Sequence, residues 1–172
     1  MFQGWDNYYV MVGTASAGLI GLLFVVVTLT AGVDRSQAER GAKLYLTPSV
    51  LHFAIVMTIS AVIIAPRLPT QARGVLIGVA ALWGAWFAVR ATIGINKPRP
   101  GAEPPHWSDA WMYGGSPATI YFTLAAGAVA VWTGLPWAPY PIAVLTLALL
   151  LVGIRNAWDL VTWIAPARPG GA

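Results

Sequence analysis

Residues 140–164 read YPIAVLTLALLLVGIRNAWDLVTWI. The stretch is long enough to cross a hydrocarbon core of about 30 Å, which takes roughly 20 predominantly apolar residues. Yet Arg155, Asn156 and Asp159 lie inside it, and a charge at such depth costs about 3 kcal/mol or more unless it is paired or hydrated. The segment is a membrane span that carries a polar site. Everything else in the chain is organised around that conclusion.

Composition agrees with it. Hydrophobic residues make up 58% of the chain and charged residues 9%, against roughly 45–50% and 25% in soluble domains. One core cannot bury so much apolar surface, so the bilayer is the remaining solvent. With no cysteine, disulfides, thiolate metal sites and thiol nucleophiles are excluded. A formal charge of +4, scattered over loops and without base-stacking aromatics beside it, gives no footprint for nucleic acid.

Working outward, five stretches reach spanning length, near 8–31, 46–66, 74–96, 114–133 and 139–165. The breaks between them are AGVDRSQAERGAK, RLPTQAR, the long NKPRPGAEPPHWSDAWMY and the tight GLPWAP, all rich in charge, glycine or proline. The expected fold is an all-α integral membrane helical bundle, a single domain over 1–172 with an interfacial loop at 97–113. Four spans is the main rival count, because glycine and alanine dilute the fourth stretch. Lys and Arg set the orientation. Arg35, Arg40, Lys43, Lys97, Arg99 and Arg168 fall on one side of a five-span chain, while Arg67 and Arg73 fall on the other. That bias places the N-terminus outside and the C-terminus in the cytoplasm. The opening MFQGWDN has an acid and no Lys or Arg, unlike the basic start of a cleaved signal, so the first span is expected to be retained.

Packing signals are plain. Gly13, Ala17 and Gly21 stand four apart in the first span with Thr14 and Gly18 on the adjacent row, the small-xxx-small pattern that lets helix backbones approach closely in lipid. Gly74 and Gly78 repeat it in the third span. Such faces pack helices within one protomer or between copies, so a homo-oligomer or a larger membrane complex is the expected assembly. Trp107 and Trp111, four apart, fit an interfacial helix with both rings toward lipid. Trp5, Trp132, Trp137 and Trp163 mark span ends as interfacial anchors. Trp83 and Trp86 are different, because they lie mid-span with Arg90 one turn beyond, where a guanidinium over the indole makes a cation–π contact.

Depth gathers the polar residues. At 1.5 Å per residue from the cytoplasmic span ends, His52, Arg90 and Asp159 come out at roughly 8–9 Å and Arg155 at roughly 14–15 Å. All four share one half of the membrane, and Asn156 can join them. Arg155 and Asp159 are spaced i and i+4, but in the weaker order, and an acid near a helix C-terminus faces the negative end of the macrodipole. Asp159 is therefore expected to take Arg90 from another helix. With His52 neutral the cluster carries a surplus positive charge: either Arg90 snorkels to the cytoplasmic headgroups while Arg155 and Asp159 lock helix packing, or the charge invites an ion, an anion, a lipid headgroup or a partner's carboxylate.

Enzyme chemistry has no constellation to work with. G-x-S-x-G, H-E-x-x-H, a glycine-rich phosphate loop and a membrane carboxylate pair are all missing from the sequence. His52 and His106 are the only histidines, and they lie too far apart in the expected topology for a bis-histidine haem. No metal and no cofactor is expected, and His106 with Asp109 reads as an ordinary solvated pair.

The segments WDNYYVMVGTASAGLIGLLFVVVTLTAG, HWSDAWMYGGSP and GIRNAWDLVTWI resemble a group of small bacterial multi-pass membrane proteins. The resemblance implies an inner-membrane location and names no activity. Two functions then follow as expectations: a channel or transporter-like protein using the cytoplasmic-half cluster, or a non-catalytic accessory or assembly subunit of a larger membrane complex.

Overall fold

A computed structural model describes residues 1–29, 47–95 and 111–164. Among them the chain is all-helical, with α1 (Asp6–Leu29), α2 (Thr47–Ile64), α3 (Thr70–Ile95), α4 (Ser116–Trp132) and α5 (Pro139–Ile164). A π-helical turn, Trp111–Gly115, runs directly into α4. The helices α1, α3, α4 with its π-helical turn, and α5 are each long and apolar enough to cross a membrane. The shorter apolar helix is α2. The sequence placed its weakest span at the fourth stretch, where glycine and alanine dilute the apolar residues; there the π-helical turn runs into α4, so the segment extends over Trp111–Trp132 and is long enough to cross.

Large apolar side chains point outward from the bundle. Leu22 and Phe24 on α1, Val79 and Leu82 on α3, Phe122 and Val129 on α4, and Val144 and Leu151 on α5 are all exposed. In water so wide an apolar surface would aggregate; facing acyl chains it costs nothing. The chain is a multi-pass membrane protein by this criterion. The interior is built by α2, whose Phe53, Val56 and Ile59 are fully buried. It packs against α1, α3 and α5.

Register is legible from the glycines. A Cβ on Gly74 would lie 2.7 Å from the Trp132 backbone nitrogen, one on Gly78 would lie 3.6 Å from the Ala128 Cβ, and one on Gly114 would strike Thr92. These pairs fix α3 and α4 as close antiparallel neighbours along their whole length. Gly13 is likewise pressed against Ser60 of α2, at 3.0 Å from a built Cβ to the Ser60 Cβ. The starts of α1 and α5 meet where the Tyr8 hydroxyl donates to the Ala143 carbonyl at 2.7 Å. Around that bond Trp5 packs edge-on against Tyr8 and Tyr140, and Phe2 packs edge-on against Tyr9.

Connections follow local chemistry. After α4, Gly134 adopts φ +80°, the Leu135 amide donates to the Ala130 carbonyl at 3.0 Å and the Gly134 amide to Val131 at 3.0 Å. This is a Schellman stop, which needs a left-handed residue after the helix. Pro139 then opens α5, where its missing N–H costs nothing. Between α2 and α3, Arg67 holds φ 58°, and Arg73 caps the end of α2 by donating to the Ala65 carbonyl at 2.9 Å.

Candidate functional site

Most polar side chains in these helices satisfy themselves. Thr58, Thr92, Thr119, Thr123 and Thr146 each donate to the carbonyl four residues back, at 2.5–2.9 Å, the usual way for a hydroxyl to live in an apolar helix. His52 and Asn156 do not have that route. Their surroundings define the site.

His52 is buried on α2, and its Nδ1 shares a 2.7 Å hydrogen bond with the Tyr121 hydroxyl of α4. Tyr121 reaches it because α3 has no side chain in the way. A Cβ on Gly84 would fall within the Tyr121 ring, so the phenol lies against the α3 backbone and extends across the bundle. The other ring nitrogen, Nε2, is buried and has no hydrogen-bond partner. Whichever tautomer is present, one nitrogen donates and the other accepts, so Nε2 is an unused donor or acceptor.

Asn156 faces this region from α5. Its residue exposure is 0%, and neither its amide nitrogen nor its oxygen has a hydrogen-bond partner among the described residues. One turn earlier, Gly153 lets the Phe53 ring of α2 press onto α5, at 2.5 Å from a built Cβ. The two helices run antiparallel, so moving from Gly153 to Asn156 corresponds to moving from Phe53 to about position 50, between Ser49 and His52. Register therefore puts Asn156 of α5 near the level of residues 49–52 of α2, where Ser49 and His52 are also buried. Each unsatisfied buried polar group costs about 1–3 kcal/mol; the Tyr9, Ser16 and Ser60 hydroxyls are also buried without a partner among the described residues, but at Asn156 both ends of one amide are unused.

The charged residues form a separate rim. Arg155 Nη1 lies 3.7 Å from Asp159 Oδ2, with side-chain exposures of 47% and 33%. The Tyr113 hydroxyl of the π-helical turn donates to the same carboxylate at 2.5 Å. The expected bridge from Asp159 to Arg90 is not formed. Tyr113 supplies the cross-helix donor instead, because the π-helical turn aims its phenol at α5. Arg90 is exposed and its guanidinium carbon stands 4.5 Å from the centroid of the Trp86 ring, the contact that the spacing of the two residues indicates. The cluster read from the sequence thus divides into an interior pair, His52 and Asn156, a rim pair, Arg155 and Asp159, and an outward arginine.

The small-residue face of α1 divides as well. Gly13 is used against α2, whereas Ala17, Gly18 and Gly21 are exposed and a Cβ on either of these two glycines would meet nothing within 4 Å. Trp111 is exposed. Trp107, most of the interfacial loop (96–110), and Arg35, Arg40, Lys43, Lys97, Arg99 and Arg168 lie outside the described residues.

Sequence reasoning missed Tyr121, Tyr113 and the two glycines that admit the aromatic rings. Gly153, three residues before Asn156 in the same span, was the available signal. Tyrosines inside spans look like any other aromatic until a fold gives them partners. Comparisons of the chain with known protein families, with characterised proteins and with solved structures find no match.

Proposed function

We propose that this chain is a small five-span protein of the bacterial inner membrane, without enzymatic activity, whose cytoplasmic-half interior accepts a small ion or hydrogen-bonding solute in a channel or transporter-like role. One observation carries the reading: the fully buried Asn156 amide uses none of its hydrogen-bonding capacity among the described residues. His52 Nε2 on α2 is likewise buried and without a hydrogen-bond partner among the described residues, which adds a second polar group to the reading. The Asp159 carboxylate, which Tyr113 and Arg155 meet, stands about 5 Å further along α5, counted at 1.5 Å per residue from Asn156, and forms a polar mouth. Orientation with the N-terminus outside rests on the Lys and Arg bias.

The test is flux. Purified protein in liposomes under voltage, pH and anion gradients is expected to pass a species whose rate falls in Asn156→Leu and His52→Leu but not in Thr58→Val, a change on an exposed position. Silent wild-type liposomes under all three gradients reject the reading. An accessory role rests on a different observation, the outward Ala17, Gly18 and Gly21 of α1, whose open backbone suits close approach of another membrane helix. In that case Gly18→Leu and Gly21→Leu release a co-purifying membrane protein. Gentle solubilisation that yields a lone protomer counts against it.

A further inference from the structure

Of the polar residues that the sequence gathered in one half of the membrane, Arg90 is the arginine left without an acid among the described residues. Asp159 is held by Tyr113 and Arg155, and no acid among the described residues pairs with Arg90. Its position is specific. Arg90 lies five residues before the end of α3 at Ile95, about 7–8 Å along the axis, within reach of the headgroups for a side chain that extends toward them. It rests on an aromatic plate rather than hanging free. Trp86 packs edge-on against Phe87 with centroids 4.7 Å apart, and Trp83 lies 6.0 Å from Trp86. Trp83 is 58% and Trp86 48% exposed, on a helix whose Val79, Leu82 and Ile93 are also exposed. The plate therefore borders the acyl chains.

Stacking on an indole fixes the plane of a guanidinium and leaves its edge donors free. Those donors match a phosphate oxygen pair in bidentate geometry. A zwitterionic headgroup already neutralises its own phosphate, whereas an anionic phospholipid brings the uncompensated negative charge that Arg90 needs. We infer that the outer face of α3 holds the phosphodiester of an anionic phospholipid, with Arg90 as its anchor and Trp86 orienting the guanidinium. This site is on the lipid-facing side of the bundle, and it stands whether or not the interior pair His52 and Asn156 carries a solute.

The experiment is native mass spectrometry of the full chain in detergent, titrated with phosphatidylglycerol and with phosphatidylcholine of the same acyl chains. Wild type is expected to retain the anionic lipid about fivefold better, the scale of one arginine near an anionic surface. Arg90→Gln brings the two lipids to parity, Trp86→Leu lowers the preference, and Arg90→Lys keeps part of it. Arg67→Gln, which removes an equal charge at the far end of α3, leaves it intact. The inference is overturned if Arg90→Gln keeps the wild-type preference, or if Arg67→Gln abolishes it equally, which is general surface charge. It is also overturned if inorganic phosphate displaces the lipid-dependent signal, since the site then belongs to a soluble anion. Loss of a dimer in Arg90→Gln with lipid retention unchanged overturns it in favour of a carboxylate from a second copy.

Discussion

Replacing Asn156 by leucine tests the central claim with a sign that most buried polar residues would not give. The amide is fully buried and makes no hydrogen bond to protein. Removing an unsatisfied donor and acceptor relieves about 1–3 kcal/mol each, and a bound water or solute already supplies part of that relief. Leucine is larger, and forcing extra methylenes into a packed interior costs about 1–3 kcal/mol. The balance places Asn156→Leu between about 0 and 3 kcal/mol more stable than wild type, while flux is lost. Asn156→Ala controls for volume and is expected within about 1 kcal/mol of wild type. The assay is reversible unfolding in mixed detergent micelles, followed by tryptophan emission and helical circular dichroism. If both substitutions destabilise by more than about 2 kcal/mol, the amide is a well-bonded structural group. The interior site then has no support.

Three further outcomes follow from particular contacts. Gly84→Ala drives a Cβ into the Tyr121 ring and is expected to cost about 1–3 kcal/mol; in a Tyr121→Ala background the same change costs less than half as much, which a double-mutant unfolding cycle reads directly. Tyr113→Phe removes the hydroxyl bonded to Asp159. With that carboxylate one-third exposed, the loss is about 1 kcal/mol, and it vanishes in an Asp159→Asn background if the bond depends on charge. Gly134→Ala places a Cβ at φ +80° and is expected to cost about 1–2 kcal/mol, measured as a lower Tm. A neutral result there shows that the α4–α5 turn has another way to close.

The residues explain what could be read in advance. Span positions were legible because bilayer thickness imposes a length and forbids unpaired backbone groups. GLPWAP announced its turn because glycine and proline act locally. Arg90 on Trp86 was legible too, since the two residues share one helix and one turn. Interhelical pairing was not: nothing in the local spacing says that Tyr113 reaches Asp159, or that Tyr121 reaches His52.

An all-helical membrane protein with polar residues concentrated toward one end of its spans is specified segment by segment, because solvent and helix period act on each segment independently. Which of those residues meet is specified by tertiary packing alone. Close approach at Gly84 and Gly153 depends on the register between helices, and register is set by packing the whole bundle. That packing turned one presumed cluster into a buried amide and imidazole, a neutralised rim and an exposed arginine resting on Trp86.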